Sequence, residues 1–409
     1  MGDPANTRAQ AARILLRVKD HGAYSNVILP AATRDLARPD RAFVYRLVTD
    51  ALRQIRTADA VVEVAAVRST GDLDAEVLCV LEIAVAELLA AEPDAVYATV
   101  NESVEAVKQL GNPRAAGLVN AVLRSVARDG VPAFPADKAR ELSVPEWVLG
   151  TLTADHGRQT ARLLLAGLRE GSPPIGIRVR PGCDAPVGAA PVPDVAGAYT
   201  LRELPESLDG LVVSDAASTA VVRALRPTNG ERILDMAAAP GGKTSALWDD
   251  AGKGTTLVAM DAHTRRLRSA RLRMAEMGVG AAWVLGSGIA APFGDESFDA
   301  VLVDAPCTGL GTLRRRPEIA MRLAVKRMEA LADRQREMLA EAWRITRPGG
   351  RIVYSVCTLF AAETVDVVAA YPAAPPPGLP GAVWGAGLLM APHLTGTDGM
   401  FVSLIQRTG

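Results

Sequence analysis

The sequence has few cysteines, no long apolar run and no excess of positive charge. Its four cysteines are widely spaced among 409 residues and form no CxxC pair: Cys79, Cys183, Cys307 and Cys357. This spacing argues against a disulfide framework and a structural zinc site, so we expect no metal and a reducing, cytoplasmic environment. Charged residues interrupt every apolar stretch before the ~18 residues that a membrane-spanning helix needs, so we expect no membrane partner.

The balance of charges excludes a protein that is basic as a whole. Lys and Arg number 45 against 46 Asp and Glu, which gives a formal net charge of −1. Any binding of nucleic acid must therefore depend on a local cluster of positive charge. Hydrophobic residues make up 49% of the chain and charged residues 22%. This composition excludes bulk disorder, and the length indicates two or three packed domains.

Changes in hydrophobic periodicity divide the chain into three predicted segments. Residues 1–130 carry apolar positions at helical spacing without strand-like alternation, which predicts an all-α bundle. Residues 131–205 combine a linker, rich in Pro and Gly at 129–136, with a small α+β subdomain that has a strand at 173–180. Residues 206–409 alternate apolar runs with helical stretches, as in an α/β domain with a largely parallel sheet. Its predicted strands are 232–235, 256–260, 282–285, 300–303 and 351–354.

A turn rich in small residues follows the first of these strands and opens a helix. Its sequence is Asp235-Met-Ala-Ala-Ala-Pro-Gly-Gly-Lys-Thr244. Two glycines let the backbone approach a ligand, and the N–H groups of a helix N-terminus point at it. The spacing is neither GxGxxG nor that of a P-loop, which weakens those two interpretations. Taken alone, the segment is also consistent with an ordinary tight turn between a strand and a helix.

An acidic residue, Asp261, ends the next strand, about twenty residues after the glycine turn. A carboxylate at this place can accept hydrogen bonds from both ribose hydroxyls of an adenosine-containing ligand. Alone, Asp261 is more simply explained as an N-cap for the helix that follows. The turn and the carboxylate together favour an adenosine-type ligand.

Two cysteines follow the carboxyl ends of two later strands. Cys307 comes just after Asp304, and Cys357 ends the stretch Val353-Tyr-Ser-Val-Cys357. Ligands of an open α/β sheet bind at strand carboxyl ends, so we expect the two thiols to face one pocket. A thiolate that adds to carbon 6 of cytosine makes carbon 5 able to take a methyl group from a sulfonium donor, and the target base must first leave its stack. The chemistry alone leaves open which thiol attacks.

Three motifs give the chain a resemblance to a known family. DMAAAPGGKT, VDAPCTGLGTLRRRPEI and YSVCT look like the motifs of the RNA cytosine-5 methyltransferases, in the Fmu/Sun (RsmB) branch that modifies small-subunit ribosomal RNA. Segments 214–218 and 398–401 resemble further family blocks. The resemblance implies a NusB-like helical RNA-binding domain over 1–130, a small RNA-binding α+β subdomain within 131–205 and a Rossmann-like methyltransferase domain over 206–409. It also implies S-adenosylmethionine as cofactor and RNA, in the first place 16S rRNA, as partner; we expect a monomer.

The resemblance assigns roles to individual residues. It implies that Cys357 is the nucleophile, that Cys307 assists product release and that Asp304 contacts the target base. The expected cofactor-binding residues lie in the glycine turn and at strand ends: Ala238, Ala239, Pro240, Gly241, Gly242, Lys243, Asp261, Ser287 and Asp304. The expected contacts to RNA phosphates are arginines beside the cysteine motif and after the second strand. These are Arg314, Arg315, Arg316, Arg265 and Arg266.

One departure from the family pattern concerns the cofactor site. The family usually has an Asp-Gly pair after its third strand, and the acid helps to hold the adenine. The matching stretch here is Leu285-Gly-Ser-Gly288, with Ser287 in place of the acid. The leading hypothesis is an active RNA cytosine-5 methyltransferase. Two alternatives stay open: the same chemistry on tRNA or another RNA, and a non-catalytic RNA-binding protein with a weakened cofactor site.

Overall fold

The computed structural model divides the chain into two compact units. The first comprises Met1–Gly150 and Arg315–Arg322, and the second comprises Thr151–Arg314 and Leu323–Gly409. Most of the linker predicted at 129–136 lies outside the described residues. The structure describes residues 6–90, 95–130, 143–169, 171, 173–252 and 254–408.

Helices α1 to α7 run through the first unit and confirm the predicted all-α segment. Asn6 caps α1 by accepting hydrogen bonds from two backbone N–H groups of its first turn, and Asp74 caps α5 in the same way. The apolar faces of the helices pack into one core around Leu15, Val48 and Leu81. The helices are α1 Thr7–Asp20, α2 Ser25–Ala32, α3 Arg38–Arg53, α4 Ile55–Ala66, α5 Ala75–Leu89, α6 Val96–Gln109 and α7 Ala116–Asp129.

The octapeptide Arg315–Arg322 packs in this helical unit, although the sequence places it within the predicted segment 206–409. Glu318 is fully buried, and its carboxylate accepts hydrogen bonds from the backbone N–H (3.0 Å) and the Oγ (2.8 Å) of Ser25 at the start of α2. The carboxylate therefore serves as an N-cap supplied from a distant part of the chain. Such a contact has no local sequence pattern, which explains why the prediction missed it.

A four-stranded antiparallel sheet lies in the second unit, with the strand order β2-β3-β1-β4. The sequence predicted only β1, because the other three strands are two to four residues long and lie among turns. Two helices precede the sheet and one follows it. The bounds are α8 Glu146–His156, α9 Arg158–Arg169, β1 Ile175–Val179, β2 Ala190–Pro191, β3 Ala198–Leu201, β4 Leu211–Val213 and α10 Ala216–Leu225.

A nine-stranded mixed sheet forms the centre of the second unit. Its order is β11-β12-β13-β9-β8-β5-β6-β7, and β10 pairs with β13. Neighbours from β7 through β6, β5 and β8 to β9 are parallel, which confirms the five predicted strands. These elements are β5 Arg232–Asp235, α11 Gly242–Ala251, β6 Thr256–Asp261, α12 Thr264–Glu276, β7 Ala282–Leu285, β8 Phe298–Asp304, α13 Ile319–Arg322 in the octapeptide, α14 Val325–Ile345 and β9 Thr346–Val356.

The last part of the chain extends this sheet with antiparallel strands that the sequence analysis did not predict. Strand β13 runs antiparallel to β9, with Phe401 opposite Val356 and Gln406 opposite Arg351. Strands β12 and β11 continue the antiparallel pairing to the edge. The bounds are α15 Val365–Val368, β10 Ala373–Ala374, β11 Ala382–Trp384, β12 Gly387–Met390, α16 Pro392–Thr395 and β13 Met400–Gln406.

Helices bury both faces of the large sheet at its centre. On β8, Leu302 packs in a cluster with Leu225 of α10, whereas Val301 packs on the other face with Leu339 of α14. Burial on both faces explains why the parallel strands have almost uninterrupted apolar sequences. Among the described residues, no helix is long and apolar enough to cross a membrane.

Candidate active site

The polar residues that the sequence singled out lie along one edge of the parallel sheet. The chain passes from β5 to β6 and β7 on one side and to β8 and β9 on the other. Strand β5 is therefore the point at which the strand order reverses, where open α/β sheets bind their ligands. From β7 to β9, the carboxyl ends of the five strands lead, in spatial order, to Ser287, Asp261, Asp235, Asp304 and Cys357.

Backbone contacts hold the glycine turn between β5 and α11. The N–H of Ala238 donates to Met260 O on β6 at 2.8 Å, and the N–H of Gly241 donates to Ala238 O at 2.7 Å. Gly241 has a φ of +104°, and a Cβ at this residue would lie 2.9 Å from the Met274 side chain, so the turn requires glycine. A Cβ added at Gly242 would meet nothing within 4 Å. Open space therefore lies beside the first turn of α11, where backbone N–H groups suit a polar ligand.

Two arginines of α12 bind the carbonyl oxygens of this turn. Arg266 Nη2 donates to Ala239 O at 2.6 Å, and Arg273 Nη2 donates to Pro240 O. Arg266 was expected to bind RNA, whereas no sequence motif had indicated a role for Arg273. The Arg266 side chain is 56% exposed, so it can still meet a phosphate while it holds the turn.

Asp261 joins the end of β6 to the glycine turn. Its Oδ2 accepts a hydrogen bond from Ala239 N–H at 3.1 Å, and its Oδ1 accepts one from His263 N–H at 2.9 Å. The residue is only 4% exposed. Because a carboxylate has about four acceptor sites, each oxygen keeps a further site for a ligand.

Asp235 contributes a buried acceptor beside the turn. Thr244 Oγ1 donates to its Oδ2 at 2.6 Å, whereas its Oδ1 has no hydrogen-bond partner among the described residues. Burial raises the pKa of Asp235 to about 7, although the hydrogen bond from Thr244 opposes the rise. A buried oxygen without a donor fits a bound group that carries N–H, so the turn and its neighbours fit an adenosine-type cofactor with an amino acid end.

Ser287 lies in the turn after β7, next to the end of β6. The N–H of Gly286 donates to Asp261 O at 3.2 Å, which holds this turn beside Asp261. Ser287 is half-buried, accepts a long contact of 3.5 Å from Ile289 N–H at its Oγ and forms a β-bridge with Ala290. The place of the missing acid is therefore occupied by a short side chain that supports its own turn.

Asp304 lies between a cation and a hydroxyl. Lys243 Nζ donates to Asp304 Oδ2 at 2.8 Å, and Ser355 Oγ donates to Asp304 Oδ1 at 2.8 Å. Burial lowers the pKa of Lys243, but the Asp304 carboxylate more than offsets this and leaves that pKa above its ordinary value. Lys243 therefore remains an ammonium, and it also interacts electrostatically with Cys357.

The two thiols predicted to share a pocket are in contact, with Cys307 Sγ 3.1 Å from Cys357 Sγ. The hydrogen bond with Cys357 raises the pKa of Cys307 well above its ordinary value, and burial and the neighbouring acids raise it further. Cys307 therefore keeps its proton beside Cys357. The other two cysteines lie elsewhere: Cys79 is buried, as is usual for a cysteine outside an active site, whereas Cys183 is exposed.

Close backbone packing fixes the loop that carries Cys307. The N–H of Gly311 donates to Cys357 O at 2.9 Å, and the N–H of Gly399 donates to Gly311 O at 2.8 Å. A Cβ on Gly311 would lie 1.9 Å from Gly399 O. Glycine is thus required at residue 311 by this approach, which connects both cysteine loops with the segment before β13.

A buried glutamate, which the sequence analysis did not single out, lies behind the two thiols. Glu363 is 0% exposed, and its carboxylate accepts hydrogen bonds from Thr308, next to Cys307, and from Thr358, next to Cys357. Burial raises its pKa. The only sequence signal is an acid six residues after Cys357, which local pattern alone does not distinguish from a surface acid.

Arg314 is a structural residue in this fold and is not available for the phosphate contact that we expected. It is 5% exposed, its Nε donates to Asp398, and its Nη2 lies 3.3 Å from Asp215 Oδ2. Asp215 also caps α10 and accepts the N–H of Asp398 at 3.0 Å. The segments 214–218 and 398–401, whose role the sequence left open, therefore meet at one buried arginine.

The remaining expected RNA contacts differ in exposure. Arg265 lies on the surface of α12, as does Arg266. Arg315 and Arg316 are half-buried in the octapeptide of the helical unit. An expected surface of five arginines is thus divided between the two units.

Two family models match the chain. Residues 222–374 match the model described as 16S rRNA methyltransferase RsmB/F, and residues 5–128 match the NusB family. Among curated relatives, ribosomal RNA small subunit methyltransferase B of Xanthomonas campestris is 32% identical and covers 98% of this chain and 97% of its own. A putative methyltransferase of Mycobacterium tuberculosis is 33% identical and covers 99% of this chain and 97% of its own.

Solved structures share the fold. The crystal structure of the protein PH0851 covers 99% of both chains with a TM-score of 0.84 at 21% identity. NSun6 from Pyrococcus horikoshii, solved with SFG, covers 65% of this chain and 98% of its own with a TM-score of 0.58 at 19% identity. At these identities the likeness establishes the fold alone, over nearly the whole chain in the first case and about two thirds of it in the second.

Proposed function

The chain belongs to the 16S rRNA methyltransferase RsmB/F family, and from this premise we propose that it methylates carbon 5 of a cytosine in RNA. The methyl donor in this proposal is S-adenosylmethionine. One observation carries the proposal beyond the family: two thiols lie 3.1 Å apart beside Asp304, at the carboxyl edge of the sheet. Methyl transfer to an oxygen or an exocyclic nitrogen does not need such a pair, whereas carbon 5 of cytosine must be activated by a nucleophile.

We assign the attack to Cys357. The family resemblance gives the attack to Cys357, and the hydrogen bond between the two sulfurs, which raises the pKa of Cys307, lets Cys307 donate to the attacking sulfur. The Lys243 ammonium supports a negative charge on the Cys357 sulfur. The thiolate forms a bond to carbon 6, and the electron pair of the 5,6 double bond becomes available at carbon 5.

The other site residues guide the remaining steps. The sulfonium of the bound cofactor supplies an electrophilic methyl group. Asp304, held between Lys243 and Ser355, lies where it can hydrogen-bond the edge of the target base. After methyl transfer, the proton on carbon 5 passes to a water molecule, and the electron pair of that C–H bond restores the 5,6 double bond. The bond between carbon 6 and Cys357 then breaks, and its electron pair returns to the sulfur as a thiolate. Cys307, the thiol in contact with Cys357, assists this release.

The cofactor is held, in this proposal, by the glycine turn and the neighbouring strand ends. Residues 238–243 present backbone groups, Asp261 accepts from the ribose hydroxyls, and the buried Oδ1 of Asp235 accepts from the amino group. Ser287 lies at the adenine end without a carboxylate. The first turn of α11 contributes N–H groups to the polar end of the cofactor.

The RNA substrate is proposed to be small-subunit ribosomal RNA, because curated relatives that match almost the whole chain carry that name. Exposed Arg265 and Arg266, with Arg315 and Arg316, supply phosphate contacts. Bisulfite sequencing of ribosomal and transfer RNA from a deletion strain separates this substrate from the alternative of tRNA. A non-catalytic RNA-binding protein, the other alternative, has no need of two thiols in contact, and absence of S-adenosylmethionine binding in calorimetry would favour it.

The decisive experiment compares two cysteine variants on denaturing gels with labelled RNA and S-adenosylmethionine. Cys357→Ala should lose both turnover and the covalent protein–RNA adduct, because carbon 6 is then not attacked. Cys307→Ala should attack and stall, so that an adduct accumulates and survives denaturation. Cys183→Ala is the matched control, since Cys183 is an exposed cysteine outside the site, and it should behave as the unchanged protein.

The opposite pattern would reverse the assignment. An adduct in Cys357→Ala and none in Cys307→Ala would make Cys307 the nucleophile. Full turnover in both variants would contradict cysteine-dependent carbon-5 methylation as such.

A further inference from the structure

The carboxylate of Glu363 connects the two loops that carry the active-site thiols. Its Oε1 accepts the N–H of Thr308 at 2.9 Å, and its Oε2 accepts the Thr308 hydroxyl at 2.5 Å and the Thr358 hydroxyl at 3.1 Å. The two threonine hydroxyls also lie 2.8 Å apart. Thr308 follows Cys307 directly, and Thr358 follows Cys357 directly. One buried carboxylate is therefore hydrogen-bonded to the residue that directly follows each active-site cysteine.

A second buried side chain completes this cluster from helix α14. Gln335 is 0% exposed, and its Nε2 donates to Glu363 Oε1 at 3.1 Å and to Pro306 O, just before Cys307, at 2.9 Å. Tyr354 OH donates to the Gln335 Oε1 at 3.1 Å and lies 2.7 Å from the Glu363 carbonyl oxygen. The Glu363 carboxylate thus receives four hydrogen bonds, which compensate for its burial.

We propose that Glu363 is a positioning residue that sets the distance between the Cys307 and Cys357 sulfurs by fixing the loops on which they lie. The proposal rests on the proposed function, in which both thiols act on one base. Glu363 has no part in bond making, since its four hydrogen bonds use the donors behind the loops. Its effect on the reaction passes through the backbone of Thr308 and the hydroxyl of Thr358.

The chemistry makes this distance consequential. The Cys307 thiol stabilises the neighbouring sulfur and later assists its elimination only while the two atoms stay in contact at 3.1 Å. The backbone hydrogen bond from Gly311 N–H to Cys357 O also joins the two loops, and the Glu363 carboxylate adds a side-chain connection at the residues next to both cysteines. Loss of the carboxylate leaves four donors without this acceptor, and the loops must move to satisfy them with water or with each other.

Glutamine at this position is the informative conservative change. Its Oε1 can keep the Thr308 N–H and the Gln335 amide, while its Nε2 donates to the two hydroxyls, which rotate to accept. Glu363→Gln should therefore preserve the distance between the thiols, and Glu363→Ala should not. Asp299→Ala is the matched control, because Asp299 is a buried acid on β8 that accepts Arg232 N–H at 2.6 Å at the opposite end of the strand.

The first measurement is steady-state methylation with the full chain and RNA. Glu363→Ala should lower kcat by about 100-fold, the scale of a small misplacement of reacting groups, with KM values for RNA and S-adenosylmethionine within about twofold of the unchanged protein. Glu363→Gln should recover kcat to within about threefold. Rates are expressed per cofactor-binding site measured by calorimetry, so that a simple loss of folded protein does not imitate the effect.

The second measurement reports the thiols without any methyl transfer. Phenylarsine oxide reacts with two adjacent thiols to form two As–S bonds, and its oxygen leaves as water with the two thiol protons, without any redox change. Intact mass should show one firmly bound arsenic per wild-type chain, none after Cys307→Ala, and about tenfold slower addition in Glu363→Ala. Glu363→Gln and Asp299→Ala should react like the unchanged protein. Thr358→Val removes one of the four donors and should slow the reaction less than Glu363→Ala does. It replaces Glu363→Ala in this test if the alanine variant does not fold.

The outcomes separate the two claims. Wild-type arsenic addition in Glu363→Ala, or in Thr358→Val where the alanine variant is unfolded, would overturn the positioning role whatever the enzyme methylates. A wild-type chain that binds arsenic but never methylates cytosine would contradict the proposed function. The arsenic addition rates of the Glu363 variants would then still test the positioning role of Glu363. Loss of kcat in Glu363→Gln equal to that in Glu363→Ala would also overturn the proposal, because the carboxylate charge and not the hydrogen bonds would then matter.

Discussion

Replacement of Arg314 distinguishes a structural from an RNA-binding arginine. The Arg314 side chain is 7% exposed and lies between the carboxylates of Asp398 and Asp215, which are 7% and 11% exposed, and it also donates to Gly396 O at 3.1 Å. Arg314→Ala therefore removes one cation and leaves two buried acids without it. Removal of one partner from a buried ion pair costs about 3–5 kcal/mol of folding stability, because the remaining charge is not compensated.

Such a loss is large enough to see by calorimetric melting. For a domain of this size, 1 kcal/mol corresponds to about 2–4 °C, so the melting temperature of the second unit should fall by about 6–20 °C. Arg314→Lys keeps the charge but cannot reach both carboxylates and the carbonyl with one ammonium. Its melting temperature should therefore lie between those of the unchanged protein and of Arg314→Ala. Arg265→Ala, on the exposed face of α12, is the control and should change stability by less than about 0.5 kcal/mol.

A salt titration of RNA binding provides the counter-test. If Arg314 contacted an RNA phosphate instead, Arg314→Ala would leave the melting temperature unchanged. It would also reduce the salt dependence of RNA affinity by about one ion. That pair of results would refute the structural role. The reverse is expected at Arg265, where RNA affinity and its salt dependence should fall while stability stays the same.

Two further predictions concern the cofactor site. Asp261→Ala should weaken S-adenosylmethionine binding by about 1–3 kcal/mol, because ribose hydroxyls and the N–H of Ala239 lose a buried acceptor; an unchanged affinity in calorimetry would contradict the cofactor placement. Ser287→Asp should strengthen binding by about 1 kcal/mol, since an acid there accepts from the adenine amino group, whereas Ser287→Ala should change it little. Weaker binding of the Ser287→Asp protein would mean that another residue already serves the adenine.

Local patterns in the sequence were sufficient for the elements that carry the site. The strands at 232–235 and 282–285 begin and end in the structure where periodicity predicts them, and β6, β8 and β9 contain their predicted cores. Motif residues directly follow strand ends, and parallel strands end at one edge, so the common location of Asp261, Asp304 and Cys357 follows from topology. The strands β2 to β4 and β10 to β12 were missed, because two to four residues per strand leave little periodicity to detect. The seven-residue strand β13 was also missed.

Only the tertiary structure decided which side chains meet. A shared pocket for Cys307 and Cys357 was expected, but the 3.1 Å contact between their sulfurs and the raised pKa of Cys307 depend on packing around the loops. Glu363 lies 55 residues from Thr308, and Arg314 lies 99 residues from Asp215. The sequence around a charged residue does not indicate which group it pairs with in the folded protein.

The arginine motif at 314–316 illustrates the limit. Three consecutive basic residues predict a phosphate-binding surface, yet the fold buries the first against two carboxylates and places the next two in a segment that packs in the helical unit. The sequence by itself determined the helical and α/β segments and the strand ends that carry the motifs, because these depend on short-range periodicity. The fold alone decided which arginine is structural, which acid joins the thiol loops and which octapeptide joins the helical unit, because burial and pairing arise between residues that are far apart in the chain.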